Sequence, residues 1–429
     1  MTPFERYRVA EQALNQGLIR LNRSLNQDKL PVSDPVAKIK TMRAFAEALG
    51  NPQHGIPAVH VAGTSGKGSV SAAIAALLSK AGFRVGLHVS PYLQAAVEKI
   101  WIDGSYVSAD AFADAAEFIL PTAKLFLHPD TPGSVHGMAQ TALALELFRR
   151  SDVDVMVFEA GCGGRFDLSS VVESCVSVVT NVGMDHVRTL GPTLKDIAWH
   201  KAGVARAGVP LVTGASGEAL TVVREEGASV GAPLFEIPRT ENVFAHNREI
   251  ARVAAERAAE ILGRPLPADL SAQPLPLPGR SERMPGEGPL VILDGAHNPD
   301  KLSAAVQSAL AQATDGPRFC VFGLLGAKAG PDVAAVLRGK FDSIFVTEPS
   351  VYGKPSAKAS DVATLLDGVG CPVTVAADPF GALEAATSAA GTGGTVLVTG
   401  SFYLAGALRE RFYPTEQVVL QRTSFPVID

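Results

Sequence analysis

Apolar residues along this 429-residue chain fall into two recurring patterns. Apolar positions spaced three and four apart predict helices, and short unbroken apolar runs bounded by turn residues predict buried strands. Residues 36–49 follow the first pattern, with Ile39, Met42, Phe45, Ala46 and Leu49 on one face, and Gly50-Asn51-Pro52 stops the helix. Residues 58–62 follow the second and run into Gly63-Thr64-Ser65-Gly66-Lys67-Gly68-Ser69. An alanine-rich helix then spans 70–81 and ends at Gly82. Further strands are expected at 84–89, 153–158, 176–180 and 210–212, and further helices at 137–150 and 246–262. Strands alternating with helices imply a mostly parallel sheet covered on both faces.

The stretch 263–279 carries prolines at 265, 267, 274, 276 and 278, too many for a helix or a central strand. Beyond it the alternation restarts, with strands at 290–293, 318–322, 343–347, 372–375 and 395–398. Helices are expected at 300–312, 331–338, 360–366 and 380–389. The expected architecture is α/β in two domains. Residues 1–265 form a P-loop-type, mostly parallel sheet with flanking helices. A proline-rich linker covers 266–279, and residues 280–429 form a smaller Rossmann-like α/β domain. No repeat or low-complexity segment interrupts this order.

Composition narrows the class of protein. Apolar residues make up 47% and charged residues 19%, which is globular and excludes a wholly disordered chain. The net charge of −5 argues against a general nucleic-acid binder. Cys162, Cys175, Cys320 and Cys371 form no CxxC pair and no disulfide framework, which fits a reducing cytoplasm. Charged residues interrupt the first thirty positions, so no signal-peptide block is expected, and no stretch reaches the ~20 apolar residues of a membrane span.

The strongest local signal is the strand–turn–helix run at residues 60–78. Glycines 63, 66 and 68 let backbone N–H groups converge, and the helix N-terminus adds its positive dipole end. Lys67 supplies a point charge for phosphates, and Ser69 a hydroxyl for Mg²⁺. The strict GxxxxGK[ST] spacing is not met, since Val61 stands at its first glycine and Gly68 separates Lys67 from Ser69. Glu159 closes another apolar run just before a glycine-rich turn, so it places a carboxylate at a strand's C-terminal edge, where α/β sheets bind ligands.

GTSGKGS (63–69) resembles the nucleotide loop of the Mur ligase superfamily. Its folylpolyglutamate synthase/dihydrofolate synthase branch is the nearer match. LGNPQ (49–53), SPYL (90–93), EKIWIDG (98–104), EAGCGGRFD (159–167), TNVGMDH (180–186), KAGV (201–204), PGR (278–280), LDGAHNP (293–299) and VTGSFYLAGALR (398–409) agree with it in order, from about residue 36 to 409.

The resemblance implies an ATP-dependent ligase that joins L-glutamate to a folate or dihydropteroate carboxylate through an acyl phosphate. It implies ATP bound by Gly63, Thr64, Ser65, Gly66, Lys67, Gly68 and Ser69, with Arg280, Asp294 and His297 from the second domain completing the site as the domains close. It implies two Mg²⁺ sites served by Ser69, Ser90, Glu159, His186 and a carbamylated Lys201, and catalytic roles for Lys67, Lys201 and His297. Arg165, Asp167 and Tyr92 are read as substrate-binding, and Lys328 as a further lysine of the second domain. The implied partners are small molecules, not nucleic acid or membrane, and the family's usual state is a monomer.

Departures from the family pattern cluster at the acceptor. DATN becomes Asp167-Leu168-Ser169-Ser170, and FExxTA becomes Gly137-Met138-Ala139-Gln140-Thr141-Ala142. SPHL gains Tyr92, and HQxxNA carries Asn247 and Ile250, the latter replacing an adenine-contacting asparagine. Two other readings therefore stay open. One is a superfamily ligase joining an amino acid to a non-folate acid, and the other a non-catalytic nucleotide-binding regulatory module. Residues 1–35 carry no match and are read as a possible helical cap over the acceptor cleft.

Overall fold

The computed structural model describes residues 1–25, 34–268, 275–326, 332–351 and 355–428. They divide into two compact units. The first comprises Met1–Tyr92, Ala96–Pro276 and Val419–Thr423, and the second Leu93–Ala95, Leu277–Val418 and Ser424–Asp429. The boundary at 276/277 falls inside the expected linker, of which residues 269–274 lie outside the described residues. The short segments 93–95 and 419–423 belong to the unit opposite their chain neighbours, which a linear division of the sequence does not anticipate.

The first unit is built on eight strands: β1 (Pro57–Ala62), β2 (Val85–His88), β3 (Ile100–Ile102), β4 (Ser105–Tyr106), β5 (Val155–Glu159), β6 (Glu173–Val179), β7 (Leu211–Thr213) and β8 (Leu234–Glu236). Their order is β4-β3-β2-β5-β1-β6-β7-β8. The pairs from β2 through β8 are parallel, and β5 is buried at every position, as its unbroken apolar run requires. The β2–β3 and β3–β4 pairs are antiparallel, so the sheet is mixed at one edge. Asp103 and Gly104, at φ 49° and 81°, make the tight hairpin between β3 and β4, an Asp-Gly turn legible in the sequence. Among the described residues no helix is long and apolar enough to cross a membrane.

Residues 1–25 are helical and pack on the first unit. Helix Pro3–Gln12 opens with a Thr2/Glu5 capping box, a π-helical turn covers Ala13–Gly17, and helix Leu18–Leu25 follows. Tyr7, Leu14 and Leu18 are fully buried, and Tyr7 meets Phe112 edge-on at 5.0 Å.

The second unit has six strands: β9 (Glu282–Arg283), β10 (Leu290–Leu293), β11 (Arg318–Phe322), β12 (Ser343–Val346), β13 (Val373–Val375) and β14 (Thr395–Thr399), ordered β13-β12-β11-β14-β10-β9. Only β9 runs antiparallel to its neighbour. Alternate residues feed two cores: Ile292, Cys320, Phe322 and Leu397 on one face, Val291, Leu293, Val321 and Val396 on the other. Fully buried Arg409 holds Glu282 with both Nε and Nη2, donates to Gln94 Oε1 at 2.9 Å, and stacks on Tyr413. This ion pair ties β9 and the 93–95 segment into the unit.

Candidate functional site

The glycine-rich turn after β1 leads into helix Lys67–Lys80, whose N-cap is Gly66 with φ 78° and no side-chain cap. The first-turn amides of that helix therefore have no side-chain acceptor, the arrangement that favours an anion. Gly63 is required by geometry. At φ 152°, a Cβ on it would lie 1.9 Å from Thr180 Oγ1. The turn after β6 braces the loop from one side. Asn181 Oδ1 accepts from Thr64 N (3.2 Å) and Ser65 N (2.8 Å), Thr180 Oγ1 donates to Ser65 O (2.7 Å), and Thr64 Oγ1 bonds to Gly183. Asn247, the residue standing for the family glutamine, packs its amide against Gly66, while Ile250 is fully buried beside Gly214.

Two lysines converge on one oxygen. Gly63 O accepts from Lys67 Nζ at 3.1 Å and from buried Lys201 Nζ at 2.8 Å. The two nitrogens are thus no more than about 6 Å apart, where like charges repel appreciably in a buried setting. Buried Glu159 lies 3.9 Å from Lys67 Nζ through Oε1, and its Oε2 accepts from Ser90 N at 2.8 Å. Ser69 is exposed on the first turn of the same helix. Mg²⁺ takes oxygen ligands, typically one or two carboxylates together with phosphate oxygens and waters. One buried carboxylate, a hydroxyl and uncapped amides fit a magnesium–triphosphate. Among the described residues no three His, Cys, Asp or Glu side chains gather as a metal site. His186 follows β6 in a left-handed conformation (φ 52°), is exposed, and lies 3.9 Å from Asp185.

Burial sets the protonation of the surrounding groups. His88, stacked 4.3 Å from Phe158, is held well below the usual imidazole range by burial, with the Lys99 charge adding to the effect. Burial pushes Lys99 down to about 8 against the opposing pull of Glu159, and its Nζ donates to Gln140 Oε1 at 3.1 Å.

Two residues read as substrate-binding, Asp167 and Arg165, make local contacts. Asp167 uses both carboxylate oxygens to close its own turn, accepting from Ser169 N (3.0 Å), Ser169 Oγ (2.5 Å) and Cys162 N (2.9 Å). His60 Nε2 meets Ser169 Oγ at 2.8 Å and anchors that turn to β1. Arg165 pairs with Glu226 and stacks 4.0 Å over Trp199. A short polar carboxylate favours turn closure, and a guanidinium favours an aromatic face next to a carboxylate, which accounts for these contacts. Tyr92 instead joins a polar group in which Asn15 Nδ2 donates to its hydroxyl at 3.1 Å, while Asn15 Oδ1 meets Gln140 Nε2 (2.8 Å) and His136 Nε2 (3.1 Å). Asn181 lies inside the TNVGMDH motif, so its bracing role had a sequence signal. Asn15 had none.

In the second unit Asp294 accepts from Ser281 N and Ala296 N, both at 2.8 Å. Burial raises its pKa against the pull of Arg280. Arg280 stacks 4.2 Å over Phe402, and His297 Nδ1 donates to Gly295 O at 2.9 Å. Lys328 lies outside the described residues.

Residues 279–402 match the Mur ligase, glutamate ligase domain. The folylpolyglutamate synthase of Lacticaseibacillus casei is 31% identical over 85% of this chain and 91% of its own length. The chain belongs to the folylpolyglutamate synthase/dihydrofolate synthase family. A probable bifunctional folylpolyglutamate synthase/dihydropteroate synthase of Haloferax volcanii is 32% identical over 86% of this chain, which spans about half (48%) of that relative's length. Among solved structures, the folylpolyglutamate synthase of Mycobacterium tuberculosis complexed with ADP has a TM-score of 0.79 at 29% identity, covering 92% of this chain and 98% of that one. The two-unit α/β architecture is thus the family's.

Proposed function

We propose that this chain is an ATP-dependent ligase that forms an amide between L-glutamate and the carboxylate of a folate-type acid. The carrying observation is the loop of 63–69, where Lys67 and Lys201 meet at Gly63 O beside the buried Glu159 carboxylate, in a chain of this family. The mycobacterial relative is complexed with ADP, and the uncapped first turn of helix Lys67–Lys80 supports reading loop 63–69 as the phosphate site of this chain.

In the proposed reaction the acceptor carboxylate attacks the γ-phosphorus, ADP leaves, and an acyl phosphate forms. The glutamate amine then attacks the acyl carbon, phosphate departs, and the amine loses its proton. Bringing two anions together is the electrostatic problem. Lys67, fixed on the Gly63 carbonyl, and the uncapped amides of helix Lys67–Lys80 counter the phosphate charge. Mg²⁺, held by Glu159 and Ser69, supplies further charge neutralisation when bound. Ser90 orients Glu159 through its main-chain N–H. A carbamate on Lys201 would replace the repulsion between two ammonium groups by an attraction and add anionic oxygens near the loop. His186 then serves as a second metal position, and Arg280, Asp294 and His297 as the second unit's nucleotide residues.

One observation favours a changed acceptor. A Cβ on Gly137 would lie 2.8 Å from Leu168 Cδ1, so Leu168 fills the space beside Gly137 and would have to shift to admit the aromatic ring of the family pattern. The test is phosphate release from Mg·ATP and glutamate with tetrahydrofolate, with dihydropteroate, and with neither. Release that requires a folate supports the reading. Release that requires a different acid supports a changed acceptor, and none with any acid refutes ligase activity.

A further inference from the structure

The N-terminal segment, which carries no sequence motif, reaches the C-terminal edge of the first unit's sheet. Its π-helical turn Ala13–Gly17 presents Asn15. Such turns are rare and concentrate at functional sites. Here the widened turn keeps Leu14 and Leu18 buried on one side while Asn15 makes three side-chain hydrogen bonds on the other, to Tyr92, His136 and Gln140.

The sheet says where this group stands relative to the chemistry. Along the C-terminal edge, β1 delivers the phosphate loop, β5 delivers Glu159, and β2 delivers Ser90 and Tyr92. On the β6 side the loop is walled off by the Thr180–Gly183 turn, whose side chains and main chain bond to Thr64 and Ser65. The other direction continues through Glu159 to Ser90, and then to the part-buried side chains of Tyr92 and Lys99 and the buried Gln140. An acid whose carboxylate meets the γ-phosphate beside Lys67 and Glu159 extends in that direction.

We propose that Asn15 is a positioning residue for the acceptor acid, its amide fixing the Tyr92 hydroxyl and the Gln140 amide so that they meet the acceptor's polar groups. The inference rests on the ligase reading. Asn15 is the hub because one amide reads both sides. Its Nδ2 makes the Tyr92 oxygen an acceptor, and its Oδ1 turns Gln140 so that Gln140 Oε1 faces Lys99 Nζ. Removing the amide frees each partner to rotate.

The experiment uses the full chain and measures KM separately for ATP, glutamate and the folate acceptor. Asn15→Ala is expected to raise the acceptor KM by about 10-fold or more, the range for orphaned part-buried hydrogen-bond partners, with the ATP and glutamate values within about twofold. Asn15→Asp keeps an oxygen for Gln140 and His136 and lets Tyr92 donate, so it should recover part of the loss. Tyr92→Phe, which removes one hydroxyl, should reproduce the acceptor-selective shift even where Asn15→Ala fails to fold. An unchanged acceptor KM in Tyr92→Phe, or an equal rise in all three KM values in Asn15→Ala, overturns the proposal. Wild-type protein that turns over no folate overturns the ligase reading itself, a result distinct from either.

Discussion

His60 offers a quantitative test of how the Asp167 turn is held. Its ring is fully buried on β1, and burial lowers its pKa from 6.5 to about 4, with the Asp167 charge opposing and Arg206 assisting. A base whose pKa is lower in the folded than in the unfolded chain is protonated preferentially on unfolding. Stability is therefore full above about pH 6.5 and is lost as pH falls through the window towards 4. At pH 5 the loss relative to pH 8 comes to about 2 kcal/mol, and it approaches about 3 kcal/mol below pH 4. The perturbation is His60→Gln, whose Nε2 can keep the hydrogen bond to Ser169 Oγ but cannot titrate. Urea unfolding followed by tryptophan fluorescence isolates the relevant unit, because Trp101 and Trp199 both belong to the first. His88, also buried and neutral, titrates equally in both proteins and cancels in the difference. The stability gap between wild type and His60→Gln should move by about 2 kcal/mol in the variant's favour from pH 8 to pH 5. A gap independent of pH would refute the linkage.

Four other outcomes are expected. Lys67→Ala and Glu159→Ala should each lower folate-dependent phosphate release by at least about 100-fold, since the first removes a cation beside the transferring phosphoryl group and the second the carboxylate that would hold Mg²⁺ there; near-normal activity in Lys67→Ala would disprove the loop assignment. Gly63→Ala should abolish ADP binding measured by calorimetry, because its Cβ would lie 1.9 Å from Thr180 Oγ1, and adding Thr180→Ala should restore part of the binding. Protein equilibrated with ¹³C-bicarbonate should show a carbamate carbon resonance that disappears in Lys201→Arg. Arg409→Met should destabilise the second unit by about 3 kcal/mol or more by leaving the Glu282 carboxylate buried without its partner, read as faster hydrogen exchange across β10 and β14.

The sequence by itself determined the local order of this protein. Unbroken apolar runs bounded by turn residues marked β1, β5 and β10, and periodic stretches marked the helices that follow β1 and β10, whereas helices Ala109–Leu125, Leu194–Ala202 and Gly217–Val230 were not read from the pattern. The phosphate loop was equally local, because its function needs consecutive glycines, a lysine and a helix start within a few residues. The Asp-Gly hairpin of β3–β4 was written there too, but within a stretch too short for periodicity to mark as strands. Only the tertiary structure decided which side chains are spent on packing. Asp167 and Arg165 carry motif chemistry, yet their charges are satisfied by Ser169, Cys162, Glu226 and Trp199, partners up to 61 residues away. It also brought Lys201 138 residues back to Gly63, and Asn15 to Tyr92 and Gln140 across 77 and 125 residues. Such pairings leave no local trace because a hydrogen bond depends on distance in space, and spatial neighbours at these separations are set by how the strands are ordered in the sheet.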